Sequence, residues 1–261
     1  MAETIGVDAN GYIRTVAHGP LQAAFLAVIV DLRSMLLGPL GHRVHSAYLY
    51  GSVARGDAVL GRSDLDVVLV LAGKPALQDD IEIEAARRAL ETRHPEVLKV
   101  DFDVGFLEEV LALENLHRWG FWLKHHCRCI YGYDLAGDIG PFIPSRKIAR
   151  AVNGDFSNVL NGYAHRIGTE SDPVAIARLA REASRKLIRA TNMLRPIASS
   201  SWPESLEDHL ALFVRTYPQM AQHAAFFHSF AAPPGDEPLQ VVPSDFVDRL
   251  RAFSALMLQE L

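Results

Sequence analysis

The chain has 261 residues, of which 49% are hydrophobic and 22% charged, and its formal net charge is −5. This length and composition predict a globular protein with enough apolar residues for two domains. The longest apolar run near the N-terminus, residues 23–30, ends at Asp31, far short of the roughly 20 residues of a membrane span. Residues 1–4 lack the basic start of a secretory signal, so we expect a cytoplasmic protein without a membrane partner.

The first half of the chain alternates between helical and strand patterns. Residues 1–17 carry no clear pattern and are predicted to be an irregular leader. Hydrophobic periodicity then predicts, in chain order, helix 21–36, strands 44–50 and 65–71, helix 78–93, strand 97–106, helix 107–118 and a short strand at 129–131. This order is typical of an α/β (α+β) domain in which helices flank a small mixed β-sheet.

The second half of the chain changes character. Residues 137–144 are rich in glycine and proline, and nearly every later segment has helical spacing. The predicted helices cover residues 145–168, 173–195, 204–216, 218–231 and 244–260. We therefore predict two domains, 1–140 with the sheet and 141–261 as an all-α helical bundle.

The most informative pattern lies between the first two predicted strands. Gly51 and Ser52 follow one strand, where a sharp turn would present backbone N–H groups to a phosphate. Asp64 and Asp66 open the next strand, and the two-residue period of a strand puts both carboxylates on one face. Such a pair suits Mg²⁺, whereas a solvated strand start is the alternative. Arg55, between the two motifs, is either a phosphate ligand or a surface cation that stabilises the loop.

In-line displacement at two metal ions calls for a third acidic group. Strand 97–106 supplies candidates, because its alternation points Lys99, Asp101 and Asp103 to one face and apolar residues to the other. We favour Asp103 as the functional residue; for Asp101, a half-exposed strand position explains the carboxylate equally well.

These motifs resemble the nucleotidyltransferase superfamily that shares its catalytic domain with DNA polymerase beta, over roughly residues 44–110. The resemblance implies a nucleoside triphosphate with Mg²⁺, transfer of a nucleoside monophosphate to a hydroxyl, and release of pyrophosphate. Asp64, Asp66 and Asp103 would be the metal ligands and catalytic residues. Asp103 would also be the general base, unless an acid in the helix that follows takes that role; the candidates are Glu108, Glu109 and Glu114.

The helical half carries a basic segment. Residues 146–195 are rich in arginine and lysine, whereas the first half of the chain is acidic. A triphosphate carries more negative charge than two Mg²⁺ ions neutralise, so we predict that Arg185 or Lys186 binds its phosphates. A solvated helix face is the alternative for each basic residue.

The acceptor is less defined than the reaction. The resemblance extends to aminoglycoside and lincosamide nucleotidyltransferases, which implies ATP, two Mg²⁺ ions and a small-molecule hydroxyl acceptor, and by analogy a homodimer. The net charge of −5 is compatible with a cationic acceptor. A toxin-like transferase that modifies tRNA or protein, and a non-catalytic nucleotide-binding module of the antitoxin type, remain the alternatives.

Overall fold

The computed structural model describes residues 4–16, 19–38, 41–231 and 240–261. These residues form two compact units. The sheet unit comprises residues 14–142, and the helical unit comprises the described part of residues 1–13 together with residues 143–261. None of the helices in the described ranges combines the length and apolar character that crossing a membrane requires.

The described strands of the sheet unit form one mixed sheet in the order β3–β2–β1–β4. Their bounds are β1 Val44–Tyr50, β2 Leu65–Leu71, β3 Val100–Phe106 and β4 Arg128–Gly132. β1 pairs antiparallel with both β2 and β4, whereas β2 pairs parallel with β3. The mixed α/β fold class predicted from the periodicity is therefore confirmed.

Helices cover both faces of this sheet, which explains why β2 is apolar at nearly every position. The helices of the unit are α1 Leu26–Leu37, α2 Gly51–Arg55, α3 Leu77–Arg93, α4 Leu107–Leu111 and α5 Phe121–His126. Val67 and Leu69 of β2 are buried in a cluster with residues of α1 and α3. Val68 and Val70 are buried on the opposite face, with residues of α4 and α5. A strand buried on both faces reads as a continuous hydrophobic run rather than an alternation.

The described helices of the helical unit pack around aromatic side chains. They are α6 Arg146–Asn153, α7 Phe156–Thr169, α8 Pro173–Ala190, α9 Leu206–Thr216, α10 Ala221–Ala231 and α11 Pro243–Gln259. The ring of Phe227 lies 5.5 Å from that of Phe246 and 5.9 Å from that of Phe253. α8 begins at Pro173, where the side chain of Asp172 accepts hydrogen bonds from the first backbone N–H groups.

The N-terminal residues differ from the sequence prediction. Residues 1–13 were predicted to belong to domain 1–140 and to be part of an irregular leader. In the structure, residues 4–13 group with the helical unit instead. Val7 and Ile13 are buried and form an antiparallel bridge, and the Trp202 N–H donates to the Ile5 carbonyl at 2.8 Å. Residues 1–3 and 17 of the predicted leader lie outside the described residues. The two units divide after residue 142 rather than 140.

Several predicted elements are shorter than the hydrophobic spacing suggested. Helix 107–118 ends at Leu111, and a π-helical turn, Leu116–Gly120, leads into α5. Helix 145–168 is interrupted after Asn153, and helix 173–195 ends at Ala190 before a 3₁₀ turn. Helix 218–231 begins with a 3₁₀ turn, and β3 begins at Val100 instead of residue 97. Apolar spacing continues through two of these breaks because their turns are packed: Thr191–Leu194 is buried, as are Trp119 and Gly120.

Candidate active site

Three aspartates meet where β2 and β3 begin. Asp64 immediately precedes β2, Asp66 is its second residue, and Asp101 lies opposite Asp66 in the parallel ladder. Each of the three offers a carboxylate oxygen, and these oxygens lie within 4.8 Å of one another. We call this group the aspartate triad. The parallel register creates it, because both strands start at the same edge of the sheet.

Gly51 determines how closely the backbone approaches the triad. Its φ is +70°, and a Cβ at this position would overlap the Asp66 carboxylate. Both conditions favour glycine, which alone lacks a Cβ. Ser52 follows as the second residue of α2, so the sharp turn predicted at this point is the first turn of a short helix. The backbone of Gly51 therefore lies directly beside the carboxylate of Asp66.

The triad is electrostatically unfavourable on its own. Burial raises the pKa of Asp66 to about 7, and the neighbouring carboxylates of Asp64 and Asp101 contribute to the rise. Lys99 opposes this effect, since its Nζ lies 2.5 Å from Asp101 Oδ2 and 3.6 Å from Asp64 Oδ2. A further cation among these oxygens would therefore stabilise the ionised triad.

Asp103, which the sequence favoured as third metal ligand, is not part of the triad. It lies two residues farther along β3, opposite Val68, and its side chain is exposed. Its Oδ2 accepts a hydrogen bond from the Tyr50 hydroxyl at 2.7 Å. The alternation of β3 correctly put Asp101 and Asp103 on one face but could not rank them. The ranking depends on the register between β2 and β3, which places Asp101 beside Asp66.

Arg55 forms an ion pair in this structure. Its guanidinium donates to both carboxylate oxygens of Asp57, at 3.1 and 3.2 Å, and both side chains are more than half exposed. This contact matches the loop-stabilising role that was one of its two predicted roles. A role in phosphate binding stays a prediction, and an exposed ion pair of this kind is weak enough to break for a ligand.

Arg185 and Lys186, the predicted phosphate ligands, belong to α8 of the helical unit. Arg185 is exposed, and the Lys186 Nζ lies 2.7 Å from Asp155 Oδ1. Their role toward a triphosphate stays a prediction.

The acids proposed as alternative bases lie in and after α4, outside the triad: Glu108, Glu109 and Glu114. Glu109 accepts a hydrogen bond from the Trp119 indole N–H at 3.2 Å. That contact ties it to the packing of the π-helical turn.

Two residues that sequence reasoning did not select belong to the site. Tyr50 ends β1, contacts Asp103 through its hydroxyl, and meets the ring of Trp122 edge-on at 5.5 Å. Lys99 contacts two members of the triad, as described above. The signal for Lys99 was its place on the polar face of the predicted strand 97–106, two residues before Asp101.

The triad fits a Mg²⁺ site. Carboxylate oxygens are the donors that Mg²⁺ prefers, and three of them converge at a separation that a bound ion can bridge. The raised pKa of Asp66 is the expected result of burying this carboxylate beside two others without a divalent cation.

Comparison with known proteins agrees with this site. Residues 35–119 match the family of the nucleotidyltransferase domain, a range that contains Gly51 and the whole triad. No curated protein sequence matches the chain. The fold is similar to that of the spectinomycin adenyltransferase AAD(9) from Enterococcus faecialis, whose crystal structure holds ATP and spectinomycin. The TM-score is 0.60 and the identity 12%, over 89% of this chain and 99% of that chain.

The family match and the fold lead to the same classification. Residues 35–119 match a nucleotidyltransferase domain, and the fold of the chain is similar to that of an adenyltransferase. The predicted family and the predicted enzyme class, nucleotidyltransferase, are thereby confirmed at the level of the domain. Enzymes with this domain use a nucleoside triphosphate and a divalent metal ion.

Proposed function

We propose that the nucleotidyltransferase domain of this chain transfers adenosine monophosphate from ATP to a hydroxyl group of a small molecule and releases pyrophosphate. The observation that supports this most is the aspartate triad, which three carboxylates form across the parallel pair β2 and β3. ATP and a small-molecule acceptor are proposed because the fold is similar to that of AAD(9), which was crystallised with ATP and spectinomycin.

Asp64, Asp66 and Asp101 would hold Mg²⁺, and we propose two ions, as the reaction class implies. When bound, Mg²⁺ supplies charge neutralisation for the triphosphate and lowers the pKa of an acceptor hydroxyl. Gly51 and Ser52 would present backbone N–H groups to the outer phosphates, since the backbone lies against Asp66 without an intervening side chain. Arg55 would exchange its exposed pair with Asp57 for a phosphate oxygen.

Asp101 is our candidate for the general base in place of Asp103. Its side chain is 43% exposed, compared with 31% for Asp64, so an acceptor reaches it more easily. One of its carboxylate oxygens would take the proton of the acceptor hydroxyl while the acceptor oxygen bonds to the α-phosphorus and pyrophosphate leaves. The remaining catalysis is positioning and charge stabilisation.

Asp103 and Tyr50 would contribute to acceptor binding. Asp103 is exposed on the same strand face as Asp101, and it accepts a hydrogen bond from Tyr50, whose ring meets that of Trp122. An exposed carboxylate next to aromatic rings favours a compact cationic molecule. This supports a small-molecule acceptor over RNA, whose backbone would be repelled by Asp103.

The test is pyrophosphate release with Mg²⁺ and each of the four nucleoside triphosphates, across spectinomycin, aminoglycosides, lincosamides and bulk tRNA. We expect release with ATP that depends on one small-molecule class, together with an acceptor whose mass has increased by one adenylate group. Asp66→Asn is the inactive reference, and Asp80→Asn, an exposed acid of α3, is the matched control for the loss of one carboxylate.

Transfer to tRNA alone would replace the small-molecule acceptor with a nucleic acid. Failure of ATP and Mg²⁺ to bind, or equal release by wild type and Asp66→Asn, would refute the proposal.

A further inference from the structure

Lys99 is fixed next to the aspartate triad by the backbone. Its carbonyl accepts a hydrogen bond from the Leu65 N–H at 2.9 Å, which joins the residue before β3 to the first residue of β2. Asp64 precedes Leu65, and Asp101 follows Lys99 by two positions on the same strand face. The backbone of Lys99 is therefore held between Asp64 and Asp101, whose carboxylates its side chain contacts.

The ammonium group of Lys99 occupies the position of a counter-ion. It lies 2.5 Å from Asp101 Oδ2 and 3.6 Å from Asp64 Oδ2, so one cation bridges two members of the triad. The Lys99 side chain is 39% exposed. Its four-carbon stem is flexible, so the ammonium group has a path to solvent if another cation takes its place.

A metal ion at the triad would use the same oxygens. An ammonium group and a divalent cation a few ångströms apart repel each other strongly at the effective dielectric of a protein surface. Metal binding therefore requires Lys99 to leave Asp101 and Asp64. A bound triphosphate offsets this loss, because its negative charge offers the displaced ammonium group a new partner.

We infer that Lys99 is a resident counter-ion of the aspartate triad that the metal must displace, and that it makes metal binding depend on the nucleotide. The inference rests on the proposed metal-dependent function of the same triad. It assigns Lys99 two effects: metal binds weakly to the protein alone, and metal and triphosphate bind cooperatively.

The experiment measures Mn²⁺ affinity by electron paramagnetic resonance, with and without a non-hydrolysable ATP analogue. Lys99→Met removes the charge and keeps the length of the side chain, and Lys99→Gln is a second neutral variant should Lys99→Met fold poorly. Lys99→Arg keeps the charge. Lys74→Met is the matched control, because Lys74 is exposed beyond the opposite end of β2 and loses the same charge.

We expect Lys99→Met to bind Mn²⁺ without nucleotide about tenfold tighter than wild type, or more, because a competing positive charge is gone. The gain in Mn²⁺ affinity on adding the ATP analogue should shrink correspondingly. The Mn²⁺ affinities of Lys99→Arg and Lys74→Met should stay within about twofold of the wild-type affinity, because neither variant removes a charge that contacts the triad.

An unchanged or weaker Mn²⁺ affinity in the folded neutral variants would overturn the role of Lys99. If wild type still binds Mn²⁺ and releases pyrophosphate, the proposed function survives that result. If neither wild type nor Lys99→Met binds Mn²⁺ with the analogue present, both the role of Lys99 and the metal site fail.

Discussion

Asp101 and Asp103 lie on the same face of β3, but Asp101 lies opposite Asp66 and Asp103 opposite Val68. Replacing Asp101 with Asn removes a triad carboxylate and the proposed base, so we expect the transfer rate to fall by about 100-fold or more. Asp103→Asn leaves the triad complete, so its effect should fall on the KM for the acceptor. Steady-state kinetics of both variants with the same acceptor checks this.

Measurements of metal affinity distinguish the roles of Asp101 and Asp103 without relying on the transfer reaction. Asp101→Asn should weaken Mn²⁺ binding, whereas Asp103→Asn should leave it within about twofold of wild type, as expected for a group outside the ligand set. The opposite result, in which Asp103→Asn weakens Mn²⁺ binding and Asp101→Asn does not, would show that Asp103 is the metal ligand, as the sequence predicted.

Gly51 and Gly56 offer a matched pair of backbone positions. Both have positive φ, but a Cβ at Gly51 would overlap Asp66, whereas a Cβ at Gly56 meets nothing within 4 Å. Gly56→Ala should therefore cost about 1–2 kcal/mol of folding free energy, the penalty for a left-handed alanine, and leave activity intact. Gly51→Ala should cost more and also displace the Asp66 carboxylate.

Urea unfolding and Mn²⁺ titration of the two alanine variants measure these effects. Equal stability losses and equal metal affinities would show that Gly51 matters only through its φ and that its contact with Asp66 can relax.

At the scale of residues, local patterns predicted part of the site. Gly51, Asp64 and Asp66 follow from one continuous stretch in which a turn joins two strands, and the structure brings Gly51 and the two aspartates together. The choice of Asp101 and the contact of Lys99 depend on how β3 aligns with β2. Alternation within a strand carries no information on that alignment, so the sequence could not rank the candidates.

At the scale of elements, α3 is attached to the sheet by a buried carboxylate. Asp79 is 5% exposed; it accepts a hydrogen bond from the Ala76 N–H at 2.7 Å and two from the Arg43 guanidinium at 2.9 and 3.0 Å. The Arg43 guanidinium lowers the pKa of Asp79. Asp79→Ala removes the cap of α3 and its link to the residue before β1. We expect a loss of about 1–2 kcal/mol of folding free energy.

The control for this prediction lies on the same helix. Glu84 pairs with Arg87 and Arg88 on a solvent-facing surface of α3, so Glu84→Ala removes one carboxylate without removing a cap. Its effect in denaturant unfolding should be smaller than that of Asp79→Ala, because exposed pairs contribute little. Equal losses of folding free energy in Asp79→Ala and Glu84→Ala would mean that the cap of α3 and the Arg43–Asp79 pair stabilise the protein no more than an exposed ion pair does.

The predicted elements were most accurate where one periodicity holds from end to end. Strands β1 and β2 have the predicted bounds, since each is a short apolar run between turn signals. The region after α4 was harder, because Leu116–Gly120 forms a π-helical turn whose Trp119 is buried. Burial of such a turn preserves the apolar spacing that predicts a continuous helix, so its end cannot be read from the pattern.

At the scale of the whole molecule, composition predicted two units, and the structure contains two. The assignment of residues 4–13 to the helical unit could not be predicted. It depends on tertiary contacts that are distant in sequence, such as the bond from the Trp202 N–H to the Ile5 carbonyl. The acceptor is equally hidden from the sequence, because the nucleotidyltransferase motifs cover the metal and the triphosphate but no acceptor contact.

Asp66 links the stability of the whole chain to pH. Its pKa is raised to about 7 in the folded protein, chiefly by burial, whereas an unfolded aspartate titrates near 3.9. Between these values the folded state holds a proton that the unfolded state has released. Raising the pH from about 4 to 7 therefore favours unfolding, with a slope of up to about 1.4 kcal/mol per pH unit from this group.

Urea unfolding at pH 5, 6 and 7 in a chelator, for wild type and Asp66→Asn, isolates this contribution from that of other titrating groups. The wild-type free energy of unfolding should fall with rising pH relative to that of Asp66→Asn. Saturating Mg²⁺ should remove the fall in wild type, because the metal binds the ionised carboxylate in the folded state only. Parallel pH profiles for the two proteins would contradict the raised pKa, and a fall that persists in Mg²⁺ would show that the metal does not bind at Asp66.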